Sequence, residues 1–419
     1  MIGLPETPLI RKNYLLITNK LKYSPLVRGA SNSALDDFSK TSFPNRKDEQ
    51  WKYSPLKKIK KHPFTNNSSF TIKNINELNL PHMNGLIVVL ENGRVNTNLS
   101  VFHKVNGIEL TFLSTSKENV NYRINSKKEN YFSLLNSSYL SEGITIKVGL
   151  GVKVQQNINI INIVSSNDSL ANTKLDLILS DNSSIHIRQY FLAYKNTING
   201  FINHINNFLV HNNATLVLDK FQDLNNNFHI SNDCIDQEES STFISNTFSM
   251  SGLFTRNDVL NNVNGENCHS ELNGIFTPFK NDHIDNHTTI NHHVPNCKSY
   301  ENYKGIMKEN GVGVFNGKVI VHENAQKIEA FQQNNNILLD DEATIYSKPE
   351  LEIYADDVKC SHGSTTGQFD KESIFYLRAR GLSLKKAKEL MILGFINEVI
   401  QKSDNSEYIN FILERVLEN

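Results

Sequence analysis

The chain is 419 residues long, with 43 basic and 44 acidic side chains, a formal net charge of −1 and four cysteines. The charge balance excludes the basic excess expected of a nucleic-acid binder, and no stretch of about 18 apolar residues offers a membrane-spanning helix. Cys234, Cys268, Cys297 and Cys360 are too few and too far apart for a secreted disulfide framework, and no Cys-x-x-Cys pair supports a zinc ribbon or a thioredoxin-type site.

Met1–Pro8 carry neither a basic region nor an apolar core of a signal peptide, so a cytoplasmic protein is expected. Residues 1–85 mix helical and irregular signals: Ser33-Ala-Leu-Asp-Asp-Phe-Ser39 reads as a short helix, and Pro44 and Pro55 bracket Trp51. At Leu86 the texture changes. Leu86-Ile-Val-Val-Leu90 is a buried strand followed by an Asn92-Gly93 turn. From there to residue 357, β-branched runs alternate with polar turn clusters and no long helical period appears.

Those runs repeat. Asp181-Asn-Ser-Ser-Ile185 and His211-Asn-Asn-Ala-Thr215 open matching turn-plus-strand units, and His322-Glu-Asn-Ala-Gln326 recurs as Asp340-Asp-Glu-Ala-Thr344. A small inward residue at a fixed place in a strand–turn repeat is what a β-solenoid needs, because coils stack only about 4.8 Å apart. A β-sandwich with a turn every 8–12 residues or so is the alternative. Asparagine runs such as Asn225-Asn-Asn227 and Asn334-Asn-Asn336 have two sources. Nucleotide bias at tolerant surface positions weighs more in this reading than turns that want a left-handed residue.

A solenoid has two open ends. The N-terminal region is expected to cap one, and the other is expected to meet helices in the C-terminal segment 358–419. Asp370 reads as an N-cap with Phe369 and Ile374 as a hydrophobic staple, and Gly381 as the stop. Ser383 then caps a second helix with Leu384, Ala387, Met391, Phe395 and Val399 at helical spacing, and a third runs over residues 407–417 with Ile409, Ile412 and Val416. Together these short helices predict a small domain with an exposed docking face.

Two groups of residues could carry chemistry. If residues 358–362 are extended, Val358, Cys360 and His362 share one face, with thiol and imidazole roughly 6–7 Å apart. A soft sulfur and a borderline nitrogen at that spacing suit an iron or sulfur species; on spacing alone, a buried thiol beside a satisfied histidine is the more common arrangement. The second group is Asp282, His283, Asp285, His287, His292, His293 and Cys297. Its i,i+4 histidines converge only on a helix, whereas Thr288-Thr-Ile290 argues for a strand, so stacked polar ladders are expected rather than a metal centre. Cys234 is placed in a polar loop, and Cys268 at the small-residue position of a coil, in the core. Gly363-Ser-Thr-Thr-Gly367 lacks the lysine of a phosphate-binding loop, and no Gly-x-Ser-x-Gly elbow exists. No nucleotide hydrolysis by this chain is expected.

Three stretches resemble the SufB/SufD family of iron–sulfur cluster assembly subunits. They are Pro349–Gly363 followed by Phe375-Tyr-Leu-Arg-Ala-Arg-Gly381, Phe43-Pro-Asn-Arg-Lys-Asp-Glu-Gln-Trp-Lys-Tyr53, and the block Asp285–Asn296. The resemblance implies a mainly-β protein: a right-handed parallel β-helix over residues 86–357, a mixed helical N-terminal region and a small helical C-terminal domain. It implies a non-enzymatic scaffold that pairs with a SufB-like sister subunit through the β-helix and docks a SufC-like ABC ATPase through the C-terminal helices, with no nucleic-acid or membrane partner. His362 and Cys360 would then be ligands of a transient iron–sulfur cluster shared with the sister subunit. No cofactor would be permanently bound, and reduced flavin in the assembled complex is a family association that no residue here identifies. For the Asp285–Asn296 block it implies a structural role at the subunit interface. Residues 330–339 lack the cysteine of B-type chains, which favours the D-type branch over a B-type primary scaffold. A β-helical polysaccharide lyase or hydrolase, and a solenoid with no chemistry, are the readings left outside the family.

Overall fold

The structure, a computed structural model, describes residues 34–65, 69–115, 130–403 and 405–418. Met1–Pro8 and Ser33 lie outside the described residues. From Ile158 onward each short β-branched run becomes a strand, and successive strands fall alternately into two sheets of ten and nine strands. Ile158–Val164 pairs in parallel with Leu86–Glu91, and from Leu170 onward every strand pairs in parallel with the strand two before it, which makes a β-solenoid of about eight turns. Pairing is antiparallel only at the first end, where Leu86–Glu91 meets Arg94–Val95 and Ile108–Phe112 meets Glu142–Val148. These early strands close the first coil.

The turns explain the repeats. Ser183, Ala214, Ser241, Cys268, Ala325 and Ala343 are the small residues tucked inside successive corners, all buried. The residue before or near each takes a left-handed backbone, as at Asn182, Asn213 and Ser240 with φ of 58°, 54° and 56°. Asparagine tolerates that conformation because its short side chain hydrogen-bonds locally.

One half of the solenoid interior is apolar, built from columns such as Ile187, Leu218 and Leu272. The other half is polar. Gln189, His204, Asn206, Lys220, Ser231 and Asp233 form one fully enclosed hydrogen-bonded group, with the Lys220 ammonium on Asp233 and on Ser231 Oγ at 3.0 Å. Asn257 continues the seam in the next coils, reaching Gln222 and Asn286 at 3.0 Å each. Part of the asparagine excess is internal, as at Asn206, Asn257, Asn286 and Asn334, and part stands at left-handed turn positions such as Asn182, Asn213 and Asn225. Asn257 donates to Asn286 across coils, and Asn206 and Asn334 bond other interior polar groups.

The flanking regions cover sides of the solenoid, not its ends. Phe38, Trp51, Leu56, Ile59 and Phe132 pack on Phe201, Phe228 and Phe254, on the outer face of the nine-stranded sheet. The Leu384–Ile400 and Ser406–Glu418 helices lie on the other sheet, with Ile392, Ile396, Val399, Tyr408 and Ile412 against Tyr190, Phe221, Phe248 and Ile306. The expected stripe shifts accordingly: Ala387 and Val399 are buried, but Leu384 is exposed and Ile392 and Ile396 do the packing. The caps stand as read. Asp370 accepts from the Glu372 and Ser373 amides, Ser383 from Lys386, and Gly381 has φ of +92°. The first of these helices, Lys371–Ala379, has no buried residue. No helix among the described residues is long and apolar enough to cross a membrane.

Candidate functional site

Among the described residues both flanks lie on the sides, and none covers the far end of the solenoid. The last coil consists of Thr344–Ile353 and Val358–Gly367, the edge strands of the two sheets. An edge strand presents unpaired backbone donors and acceptors and is a template for another chain. Cys360 and His362 sit on the second of these strands, in the parity the alternation predicts. Cys360 stacks over Ala330 and His362 over Gln332.

The two residues differ in environment. Cys360 is half-buried against the apolar core, and desolvation pushes its thiol above the ordinary value, opposed by the Ala330 backbone. His362 is exposed, and its ring has no partner among the described residues. The strand thus offers a sheltered sulfur and an open nitrogen on one side of an unpaired edge.

Beneath His362 lies a buried polar stack that the sequence analysis missed. Gln332 donates through Nε2 to Glu301 Oε2 at 2.6 Å, and Thr288 donates to the other carboxylate oxygen. Glu301 is fully enclosed, and burial raises its carboxyl to about 7 against the pull of those two donors. Gly317 makes room for Gln332: a Cβ there would meet Gln332 Nε2 at 2.1 Å. Beside this stack, Asn334 accepts from Asn336 at 2.6 Å and from Ser347 at 2.7 Å, and Ser347 touches Ser364 at 2.7 Å. The polar half of the interior thus continues to the open end through its last two coils. Next to it, a cleft of about 580 Å³ separates the sheet from the Leu384–Ile400 helix; Tyr300 and Phe331 stack 5.7 Å apart in its wall, with His362, Glu398 and Lys402 around them.

The histidine-rich block takes the strand form, over His283–His292, and its side chains diverge to opposite faces. His292 points inward and bonds Ser299 at 2.9 Å, and burial lowers its pKa to about 4. His283, Asp285 and His287 point outward and hold the Phe43–Tyr53 segment through Ser54 and Arg256. The Arg256 guanidinium lies 3.8 Å from the Trp51 ring and donates to Gln50 O at 2.8 Å. Two of the sequence motifs are thus one assembly, joined by an arginine that no motif includes. Cys234 stands mid-strand in Phe228–Gln237 rather than in a loop, with its thiol pushed up to about 12 by burial. Cys268 is buried as expected.

A parallel β-solenoid with helices on both flanks and one bare coil places the chain among solenoid proteins that work through surfaces and edges. The family described as the SufBD core domain of SUF-system iron–sulfur cluster assembly matches residues 162–395, more than half of the chain. The chain belongs to that family. Among curated relatives, the iron–sulfur cluster assembly protein SufD of Escherichia coli is 28% identical, over 99% of this chain and 98% of its own length. A SufBD family protein of Synechocystis is 25% identical over 91% of this chain and 90% of its own. The chloroplastic protein ABCI7 of Arabidopsis thaliana is 34% identical over 43% of this chain and 38% of its own.

Proposed function

We propose that the chain is a non-catalytic, D-type scaffold subunit of an iron–sulfur cluster assembly complex. The reading is carried by the last coil, whose two strands have no outer neighbour among the described residues and one of which bears Cys360 and His362. A sister SufB-like subunit pairs there and brings the remaining ligands. The cluster is cargo, assembled at the joint and passed on, and this chain holds no cofactor of its own. Full ligation needs both subunits, which accounts for one thiol and one imidazole on this side. The Lys371–Ala379 helix supports docking of a SufC-like ATPase: Phe375 and Tyr376 are 73% and 55% exposed, with the Arg380 guanidinium 4.7 Å from the Tyr376 ring.

Co-expression with SufB-like and SufC-like partners tests the reading. A ternary complex is expected that loses the ATPase on truncation before Asp370 and keeps the sister subunit. His362→Ala is expected to leave that complex intact and to lower cluster formation in cells by about tenfold or more, in line with loss of a metal-site residue. Undiminished growth of the His362→Ala strain under iron limitation would remove the ligand role.

A further inference from the structure

The turn repeat read from the sequence places a second constellation far from the bare coil. Asp181, His211 and Glu238 stand at one corner of three consecutive coils. The corner is rigid. His211 N donates to Leu179 O at 3.1 Å and Glu238 N to Val210 O at 2.9 Å, and the adjoining positions Asn182, Asn213 and Ser240 share one left-handed conformation. One ligand atom from each side chain lies within 4.8 Å of the other two. His211 Nδ1 and Glu238 Oε2 are 2.6 Å apart.

The His211–Glu238 contact does not include the third side chain. The Asp181 carboxylate has no hydrogen-bond or ion-pair partner among the described residues, yet it stands within 4.8 Å of a second carboxylate. All three side chains are partly buried, so solvent screens them only in part.

We propose that Asp181, His211 and Glu238 form a site for a divalent transition-metal cation of the Zn²⁺ class, independent of the Cys360–His362 edge. One imidazole and two carboxylates are a borderline-to-hard donor set that suits Zn²⁺ or Mn²⁺ rather than a thiophilic ion. Donor atoms on one tetrahedral zinc ion lie about 3.3–3.6 Å apart, given metal–ligand bonds of about 2.0–2.2 Å. Rotation of a partly exposed carboxylate therefore completes the set without backbone movement. The remaining coordination positions face solvent and take water. The ion ties three coils together at their corner.

The test uses the full chain, stripped of metal and titrated with Zn²⁺, then with Co²⁺ as a spectroscopic probe. The expected result is one tightly bound ion per chain, with cobalt d–d bands and no thiolate-to-cobalt charge-transfer band. His211→Ala is expected to weaken zinc binding by more than about 100-fold, beyond the 10–100-fold cost of losing an outer-sphere partner. The Cys360→Ala, His362→Ala double variant is expected to bind as the unsubstituted chain does. Zinc should raise the thermal midpoint of the unsubstituted chain and not that of His211→Ala, whose metal-free midpoint shows whether it folds. Absence of zinc binding overturns the proposal. So does binding that survives in folded His211→Ala, or that disappears in the double variant.

Discussion

Arg256→Leu is expected to destabilise the protein by about 3–5 kcal/mol, the range for removing one partner of a buried ion pair. It is also expected to shift the emission of Trp51, the one tryptophan in the chain, to longer wavelength in the folded state. Arg256 is almost wholly buried between Asp258 and Asp285, with N–O distances of 2.7 Å to each. Asp285 is fully enclosed. Burial alone would raise its carboxyl, but His287 and Arg256 hold it far below the usual range. Leucine would leave that carboxylate with the Ser54 hydroxyl and His287 alone, and would remove the cation from the Trp51 ring. Because this arginine also holds the Gln50 carbonyl, the 34–65 segment should loosen before the solenoid does. Denaturant unfolding followed at once by Trp51 emission and by far-ultraviolet circular dichroism separates the two events. An Arg256→Leu protein within about 1 kcal/mol of the original, with unshifted emission, would refute the clamp.

The second large effect concerns pH. Glu301 has its carboxyl raised from 4.5 to about 7, first by desolvation and against the hydrogen bonds from Gln332 and Thr288. A raised folded-state value means that the protonated acid is the form the fold prefers. Its contribution to stability is complete below about pH 4.5 and is lost as pH rises through about 7. The shift corresponds to about 3 kcal/mol at 1.36 kcal/mol per unit. Glu301→Gln keeps the shape and an acceptor for Gln332 without an ionisable group. Relative to the original chain, the variant should therefore gain about 3 kcal/mol between pH 5 and pH 8. A stability difference that stays constant across that interval would show that Glu301 is not driven toward its neutral form.

Local signals were legible in the sequence, and long-range ones were not. Asp370, Ser383 and Gly381 set helix ends through bonds within a few residues, so a reading of caps finds them. Ala214 and Ala325 marked corners because only a small side chain fits between stacked coils. Arg256 was invisible: its partners Gln50, Trp51 and Asp285 are remote in sequence, and nothing local distinguishes a clamp from a surface arginine. The polar half of the interior was hidden for another reason. Hydrophobic alternation reports apolar insides, and a strand such as Ile328–Leu338, with Gln332, Asn334 and Asn336 pointing inward, looks solvent-facing. Cys234 misread as a loop residue shows the same effect, since Asp233 and Ser231 beside it are interior groups. Where the flanking helices lie could not be read either, because an amphipathic face does not say whether it covers a side or an end.

The penultimate strand carries Pro349 in its middle, opposite Gly317. Thr344 and Tyr354 both donate their amides back toward the preceding coil. Strand alternation therefore turns the nitrogen of Pro349 outward, toward the bare edge, where a proline has no hydrogen to give. An open solenoid end is in principle a site of polymer growth, on which the first coil of another copy could stack to start a fibre. A gap in the donor row at mid-strand interrupts such stacking, while an edge partner shaped to skip that position is unaffected. Pro349 thus removes one donor from one of the two edge strands, and in-register stacking of another copy on that strand is disfavoured.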